Sequence, residues 1–182
     1  MKANRVVLDL ERYIPAIVAV VANKLSRGSS AIYRRFFDIS VNEWRIISLL
    51  TLEPNVTANR ICQVIGFDKA LVSRSLQVLE ERGHIRMETD IRDQRRRTIL
   101  LTKKGFDLHD KIIQIALDRE KRLLSNFSAR EIDALVSLLN RLHAEIPRVN
   151  AGDPTSEADF TPAQSGRGEL RRQKSSKTTS GR

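Results

Sequence analysis

The chain has 182 residues and a formal net charge of +10, which allows one domain with a substantial core and favours polyanionic partners such as nucleic acid. A single cysteine, Cys62, excludes an intramolecular disulfide and a cysteine-rich zinc site, and fits a reducing, cytoplasmic setting. The apolar run Ile14–Ala22 is too short to span a bilayer, and acidic residues before it interrupt any signal-peptide pattern, so we expect no membrane partner.

Two helices are predicted in the first third of the chain. From about residue 10 to 37, apolar side chains recur at three- and four-residue spacing, which predicts a long helix with Pro15 in its first turn. The segment Ser40-Val-Asn-Glu43 is a capping-box pattern. It predicts a second helix that ends before Pro54.

A helix-turn-helix is predicted next. Thr57 is expected to cap a short third helix, and Gly66 permits the left-handed conformation that ends it. Asp68 is expected to cap a fourth helix, which Gly83 ends. The apolar stripe of this helix is predicted to face the core and comprises Val72, Leu76 and Leu79.

After Gly83 the apolar period changes from helical spacing to alternation. Residues 85–89 therefore predict a strand, a polar turn follows from Asp90 to Arg96, and Thr98–Leu101 predicts a second strand. Thr102 is expected to cap a long fifth helix, and Ser128-Ala-Arg-Glu131 is a second capping box that opens a last helix. The fold class predicted is mainly α with a small β-hairpin wing and a helical arm at each end.

The composition changes near Pro147. Residues 148–182 are rich in Gly, Pro, Ser, Thr and charge, with few large apolar side chains, so we predict a disordered basic tail. Such a tail either keeps the chain soluble or adds non-specific phosphate contacts.

Three residues of the fourth helix are candidates for contact with double-stranded DNA. The second helix of a helix-turn-helix enters the major groove with its N-terminal part against the base edges. Lys69 and Arg74 lie there and can neutralise phosphates, and an arginine can also read guanine. Ser73 can bond to either kind of partner.

The predicted hairpin turn is crowded with arginines. The stretch from Asp90 to Arg97 holds two aspartates, Asp90 and Asp93, and four arginines, Arg92, Arg95, Arg96 and Arg97, the last of which is assigned no role. The aspartates can pair with neighbouring arginines and hold the shape of the loop. A free arginine at the tip can then enter the minor groove, which attracts arginine where it is narrow.

The pattern Asp90-x-Arg92-Asp93-x-Arg95-Arg96, followed by Leu100-x-Thr102-x-x-Gly105, resembles the wing signature of the MarR (multiple antibiotic resistance regulator) family. Residues 68–74 and 79–85 are similar to that family's recognition helix and its exit into the wing. The resemblance covers about residues 10–146. It implies that Ser73 and Arg74 contact DNA from the recognition helix, that the wing arginines contact it from the hairpin, and that Asp90 and Asp93 organise the wing.

The resemblance also implies a domain over residues 1–147 that forms a homodimer. Dimerisation helices at about 10–37 and 103–147 would interlock, and two DNA-binding lobes at about 40–101 would straddle a palindromic operator. It further implies release from DNA by a small, often aromatic, effector. Side chains of a type suited to such a pocket also have ordinary structural interpretations and are not assigned to the site; they are Tyr33, Trp44, Arg45 and His109.

We therefore predict a dimeric transcriptional regulator, a repressor released by an effector. The alternative is an architectural, nucleoid-type protein that binds DNA without sequence preference. Neither a cofactor nor an enzymatic activity is expected, because the chain contains no HExxH, P-loop, GxSxG or dinucleotide-binding pattern. Cys62 is interpreted as a small buried apolar residue and not as a redox sensor.

Overall fold

The computed structural model describes residues 7–89 and 97–151, which form six helices and a two-stranded sheet. The helices are α1 (Ile14–Phe37), α2 (Val41–Leu52), α3 (Ala58–Ile65), α4 (Lys69–Glu81), α5 (Lys103–Leu123) and α6 (Ala129–Ala151). The strands are β1 (Ile85–Thr89) and β2 (Arg97–Leu101). The predicted fold class, mainly α with a small β-hairpin, is confirmed. No described helix has the length and apolar character needed to cross a membrane.

Side-chain caps set where the helices begin. The capping box of α2 is complete, since Ser40 Oγ accepts from the Glu43 N–H at 3.3 Å and Glu43 Oε2 accepts from the Ser40 N–H at 2.7 Å. Thr57 caps α3 and Thr102 caps α5 in the same way: each hydroxyl oxygen accepts a hydrogen bond from the backbone N–H three residues later. The predicted starts of these helices are therefore confirmed, because each cap satisfies an N–H that the helix itself leaves free.

The two strands pair antiparallel, with Ile85 opposite Leu101 and Thr89 opposite Arg97. β2 thus begins one residue earlier than the alternation predicted. The Ile99 N–H also donates to the Val56 carbonyl at 2.8 Å, which ties the hairpin to the segment between α2 and α3. The predicted turn from Asp90 to Arg96 lies outside the described residues.

The described residues fall into two units, one ending at Asn126 and the other beginning at Phe127. The first unit contains α1–α5 and the hairpin, and all of these elements contribute buried side chains to its core. The side chains that are at most 1% exposed are Ile39, Ile46, Ile47, Leu50, Ile61, Val72, Leu79, Ile99 and Ile112. This core holds the helix-turn-helix and the hairpin as one body.

The second unit contains α6, whose end differs from the prediction. The sequence placed the boundary of the ordered body at Pro147, whereas α6 continues through Pro147 to Ala151. A proline inside a helix removes the hydrogen bond of its own N–H, and the residues after it keep theirs. The rest of the predicted tail, residues 152–182, lies outside the described residues. The single winged-helix domain over residues 1–147 remains a prediction.

Candidate nucleic-acid interface

The turn between α3 and α4 is fixed from both sides. Gly66 ends α3 with a φ of 76°, a left-handed conformation that favours glycine. Asp68 Oδ1 then accepts from the Leu71 N–H at 2.7 Å and begins α4. The Arg45 guanidinium lies 5.8 Å from the centre of the Phe67 ring, which holds the turn against α2. Lys69 is consequently the first residue of α4.

One face of α4 is buried and the other is free for contact. Val72, Leu76 and Leu79 are buried as predicted, and Ser75 is buried with them. Because residues on one helix face recur every three or four positions, the remaining face presents Lys69, Ser73 and Arg74, and all three are exposed. The sequence predicted the buried and free faces of this helix correctly.

A groove of about 350 Å³ runs between α3, α4 and the hairpin. Lys69 and Ser73 line it from α4, and Arg97 lines it from the start of β2. The other lining side chains, mostly apolar or uncharged, are Ala58, Asn59, Cys62, Leu76, Gln77, Glu80, Met87 and Ile99. The fold therefore brings two of the predicted contact residues together with one arginine of the hairpin.

The predicted site residues are distributed unequally in the structure. Lys69 and Ser73 line the groove, whereas Arg74 is exposed on α4 outside its lining. The five wing residues lie outside the described residues; they are Asp90, Arg92, Asp93, Arg95 and Arg96. Arg97 also lines the groove. Its role cannot be assigned from the sequence, because its position depends on the pairing of β2 with β1.

The cations of this surface are not neutralised by acids among the described residues. No described carboxylate lies within 4.0 Å of the charged groups of Lys69, Arg74 or Arg97. Arg60 in α3, by contrast, donates two hydrogen bonds to Glu53, at 2.9 and 2.8 Å, and these bonds hold the pKa of Glu53 below its usual value. Arginine and lysine side chains that pair with no acid of the described residues suit contact with phosphates.

Cys62 is half-buried, packs against the core and also lines the groove. The prediction of a small apolar packing residue is thus correct for its contacts with the core. The Cys62 side chain is more exposed than the sequence predicts, because it faces the groove between α3, α4 and the hairpin.

A second pocket, of about 260 Å³, lies between α1, α2 and α5. Tyr33, Trp44 and Arg45 line it, and the Tyr33 and Trp44 rings meet edge to face with centroids 6.0 Å apart. The remaining lining residues are Leu25, Ser29, Val41, Ala116, Arg119, Glu120 and Leu123. Three of the four residues considered from sequence therefore share one pocket.

Arg119 is the residue of this pocket that the sequence did not suggest. Its guanidinium faces α1, where a Cβ on Gly28 would lie 3.1 Å from Arg119 Nη2. Burial raises the pKa of the Tyr33 hydroxyl, and the Arg119 charge and a hydrogen bond with Ser29 oppose that rise. The pocket thus combines two aromatic rings with the cations of Arg45 and Arg119.

His109, the fourth residue considered, is not part of the pocket lining. Its ring instead stacks on Trp44, with centroids 5.4 Å apart and planes 24° apart. Its Nδ1 lies 3.1 Å from Asp110 Oδ1. His109 therefore supports the Trp44 ring from α5.

Known proteins share this fold and part of this sequence. The model of the MarR family matches residues 37–96. A MarR/EmrR family transcriptional regulator from Acinetobacter sp. ADP1 is 35% identical, with a TM-score of 0.74, over 78% of this chain and 99% of that chain.

More distant structures share the fold. The structure of a complex of S. aureus MepR with DNA is 20% identical, with a TM-score of 0.67, over 76% of this chain and 99% of that chain. PcaV from Streptomyces coelicolor, solved with its natural ligand, is 18% identical, with a TM-score of 0.64, over 77% of this chain and 98% of that chain.

Proposed function

The chain belongs to the MarR family of DNA-binding transcriptional regulators, and from this premise we propose that it is a homodimeric repressor of a palindromic operator, released by a small aromatic anion. The fold and family are those of transcriptional regulators. The operator, the dimer and the effector are each supported by a separate feature of the structure.

The observation that carries operator binding is the groove between α4 and the hairpin. Lys69 and Ser73 border it on the helix and Arg97 borders it on the strand, and Arg74 is exposed on the same helix outside the groove lining. A helix N-terminus that presents lysine, serine and arginine suits contact with base edges and phosphates in the major groove. Arg92, Arg95 and Arg96 extend the proposed contact along the wing, and Asp90 and Asp93 are proposed to shape it.

Selection of bound fragments from the source genome, followed by fluorescence anisotropy, tests sequence specificity. The selected fragment is compared with a scrambled fragment of equal length and composition at two salt concentrations. We expect the selected fragment to bind about 10³-fold more tightly or better, and both affinities to fall steeply with salt. Equal affinities would instead support the architectural alternative.

Two exposed apolar faces support the homodimer. On α1, Ile14, Ile17, Val18, Val21 and Leu25 recur at three- and four-residue spacing and are 37% to 50% exposed. On α6, Leu135, Leu138, Leu139, Leu142 and Ile146 are 40% to 54% exposed. Apolar surfaces of this extent mark protein interfaces, and those of permanent homodimers are especially apolar.

The pocket lined by Tyr33, Trp44 and Arg119 supports an aromatic anion as effector. Rings of the ligand would pack against the aromatic side chains, and a carboxylate would pair with a guanidinium. The pocket lies between α1 and α5 on one side and α2, the first helix of the DNA-binding lobe, on the other. A ligand there would act on the orientation of the lobe, and with it on DNA binding.

Trp44 is the single tryptophan of the chain, so its fluorescence reports directly on this pocket. A panel of hydroxybenzoates serves as the probe set. We expect at least one member to quench Trp44 saturably and to weaken operator binding, and Arg119→Gln to remove both effects because it removes the charge and leaves a polar amide. Lys111→Gln, an exposed position of the same helix, is the matched control. Unchanged quenching in Arg119→Gln would rule out this arginine as the anion partner.

A further inference from the structure

The wing begins at the junction between α4 and β1, formed by Arg82, Gly83 and His84. Gly83 has a φ of 70°, and the His84 N–H donates to the Leu79 carbonyl at 2.9 Å. β1 starts at the next residue, Ile85. The direction in which the hairpin leaves α4 is therefore set by these three residues.

The N-terminus of α5 closes on this junction. The Thr102 hydroxyl lies 2.7 Å from the Gly83 carbonyl oxygen, and the Thr102 N–H donates to the His84 carbonyl at 3.0 Å. Lys104 Nζ donates to the Arg82 carbonyl at 2.7 Å. All three carbonyls of the junction are thus held by residues of one helix start.

Gly105 lets the two backbones meet at this point. A Cβ at this position would lie 2.1 Å from the His84 carbonyl oxygen, closer than real Cβ contacts allow. The structure thereby explains the residue pattern Thr102-x-x-Gly105. The threonine bonds to the junction, and the glycine leaves room for the His84 carbonyl.

The His84 imidazole is buried inside this contact. The residue is 7% exposed, and its Nδ1 has no hydrogen-bond partner among the described residues. In the part of the chain that the structure describes, the charged groups that face it are Lys104 from α5, Arg82 from the end of α4, and Glu43 from α2. Glu43 is already engaged as the acceptor of the Ser40 N–H, so two cations and one committed carboxylate surround the ring.

Burial and the Lys104 charge lower the pKa of His84 below its ordinary value of 6.5, and Arg82 lowers it further, while the Lys104 backbone and Glu43 oppose the shift. The unfolded chain consequently binds a proton more readily than the folded one. The stability that depends on neutral His84 is complete above pH 6.5 and is lost as the pH falls towards the lowered pKa of the folded state.

We propose that His84 is a proton-sensitive latch at the root of the wing: its neutral ring lets α5 clamp the junction, and a proton on that ring opens the clamp and weakens DNA binding. A protonated His84 would be a buried cation beside Lys104 and Arg82, and the nearby Glu43 is already bonded to Ser40. Exposure of the ring to water lowers the free-energy cost of this buried charge. Exposure requires the junction to part from α5. The hairpin then loses its fixed direction, and Arg97 moves relative to Lys69 and Ser73 across the groove.

The link to DNA rests on the proposed function, whereas the latch itself is measured by unfolding. The experiment compares wild type with His84→Leu and uses His143→Gln, at an exposed position of α6, as the matched control. Affinity for the selected DNA fragment and the urea midpoint of unfolding are measured at pH 7.5 and 5.5.

On acidification we expect the DNA affinity and the urea midpoint to fall in wild type and in His143→Gln, in each case by more than in His84→Leu. In wild type we expect an excess loss of DNA affinity of about threefold or more, together with a larger fall in the urea midpoint than in His84→Leu. Equal losses in wild type and His84→Leu would overturn the proposal. If no variant binds DNA at either pH, the proposed function fails, and the urea midpoints still decide the latch.

Wild-type protein provides a second test that is independent of whether His84→Leu folds. The ring-proton NMR signals of the three histidines, assigned with the variants that fold and by through-bond correlation, are followed from pH 8 to 5. We expect the His84 signal to titrate below 6.5 and its transition to coincide with shifts in the amides of Thr102 and Gly105. Titration of His84 at or above 6.5, or without those shifts, would contradict the latch.

Discussion

Arg74 and Lys69 occupy the same free face of α4 but have different surroundings. Lys69 lies at the groove, close to the hairpin, whereas Arg74 is exposed away from the groove lining. A lysine ammonium acts as a point charge, while the arginine fork can bond to two acceptors of one guanine. We therefore propose that Lys69 contacts phosphate and that Arg74 reads a base.

Arg74→Ala separates these roles. If Arg74 reads a base, the substitution is expected to cost about 1–3 kcal/mol with the selected operator and much less with scrambled DNA. Anisotropy titrations on both fragments measure the difference, and Lys111→Ala serves as a control that removes one positive charge from α5. An equal loss on both fragments would identify Arg74 as a phosphate contact.

Among the elements, α5 contacts both the start of the wing and the proposed effector pocket. Its start clamps the root of the wing through Thr102, Lys104 and Gly105, and its middle lines the proposed effector pocket through Ala116 and Arg119. His109, between these two regions, supports Trp44. One rigid helix therefore connects the pocket with the hairpin, and a shift of α5 caused by a ligand would reach the wing directly.

Gly105→Ala tests how tightly α5 must approach the junction. The added Cβ would collide with the His84 carbonyl, which is backbone and cannot rotate away, so we expect a loss of about 1–3 kcal/mol in the free energy of unfolding. Gly28→Ala is the matched control, because its Cβ would meet only the flexible end of Arg119 at 3.1 Å. There we expect a neutral change or a gain of up to about 1 kcal/mol, since alanine favours a helix interior over glycine. Urea unfolding measures both; similar effects of the two substitutions would show that the contact at Gly105 is not rigid.

At the scale of the whole molecule, apolar faces of α1 and α6 remain exposed in the described part of the chain. A palindromic operator requires two linked DNA-binding lobes, and linking two modules raises their joint affinity well above that of each alone. The dimer and the operator are thus parts of one proposal.

Leu139→Asp tests this proposal by placing a charge in the apolar face of α6. We expect light scattering after size exclusion to give the mass of one chain instead of two, and operator affinity to fall with it, because an unpaired carboxylate in an apolar interface is costly. Ser137→Asp adds the same charge to the same helix outside that face and is expected to leave the dimer intact. A wild-type protein with the mass of one chain would contradict the homodimer.

By itself, the sequence determined the class of elements, their caps and the buried face of α4. These depend on local rules: a capping side chain bonds within three residues, and helical spacing assigns each apolar residue to a face. The end of α6 is not determined in this way: the composition predicts a boundary at Pro147, whereas the helix continues past this proline to Ala151.

Only the tertiary structure decided which distant residues meet. Arg97 joins Lys69 and Ser73 because β2 pairs with β1. Arg119 joins Tyr33 and Trp44 because α5 packs against α2 and the Arg119 side chain reaches α1. Neither the spacing nor the type of these residues indicates such proximity. The burial of His84 between Lys104 and Arg82 is likewise a product of packing, since in the sequence it is an ordinary histidine before a strand.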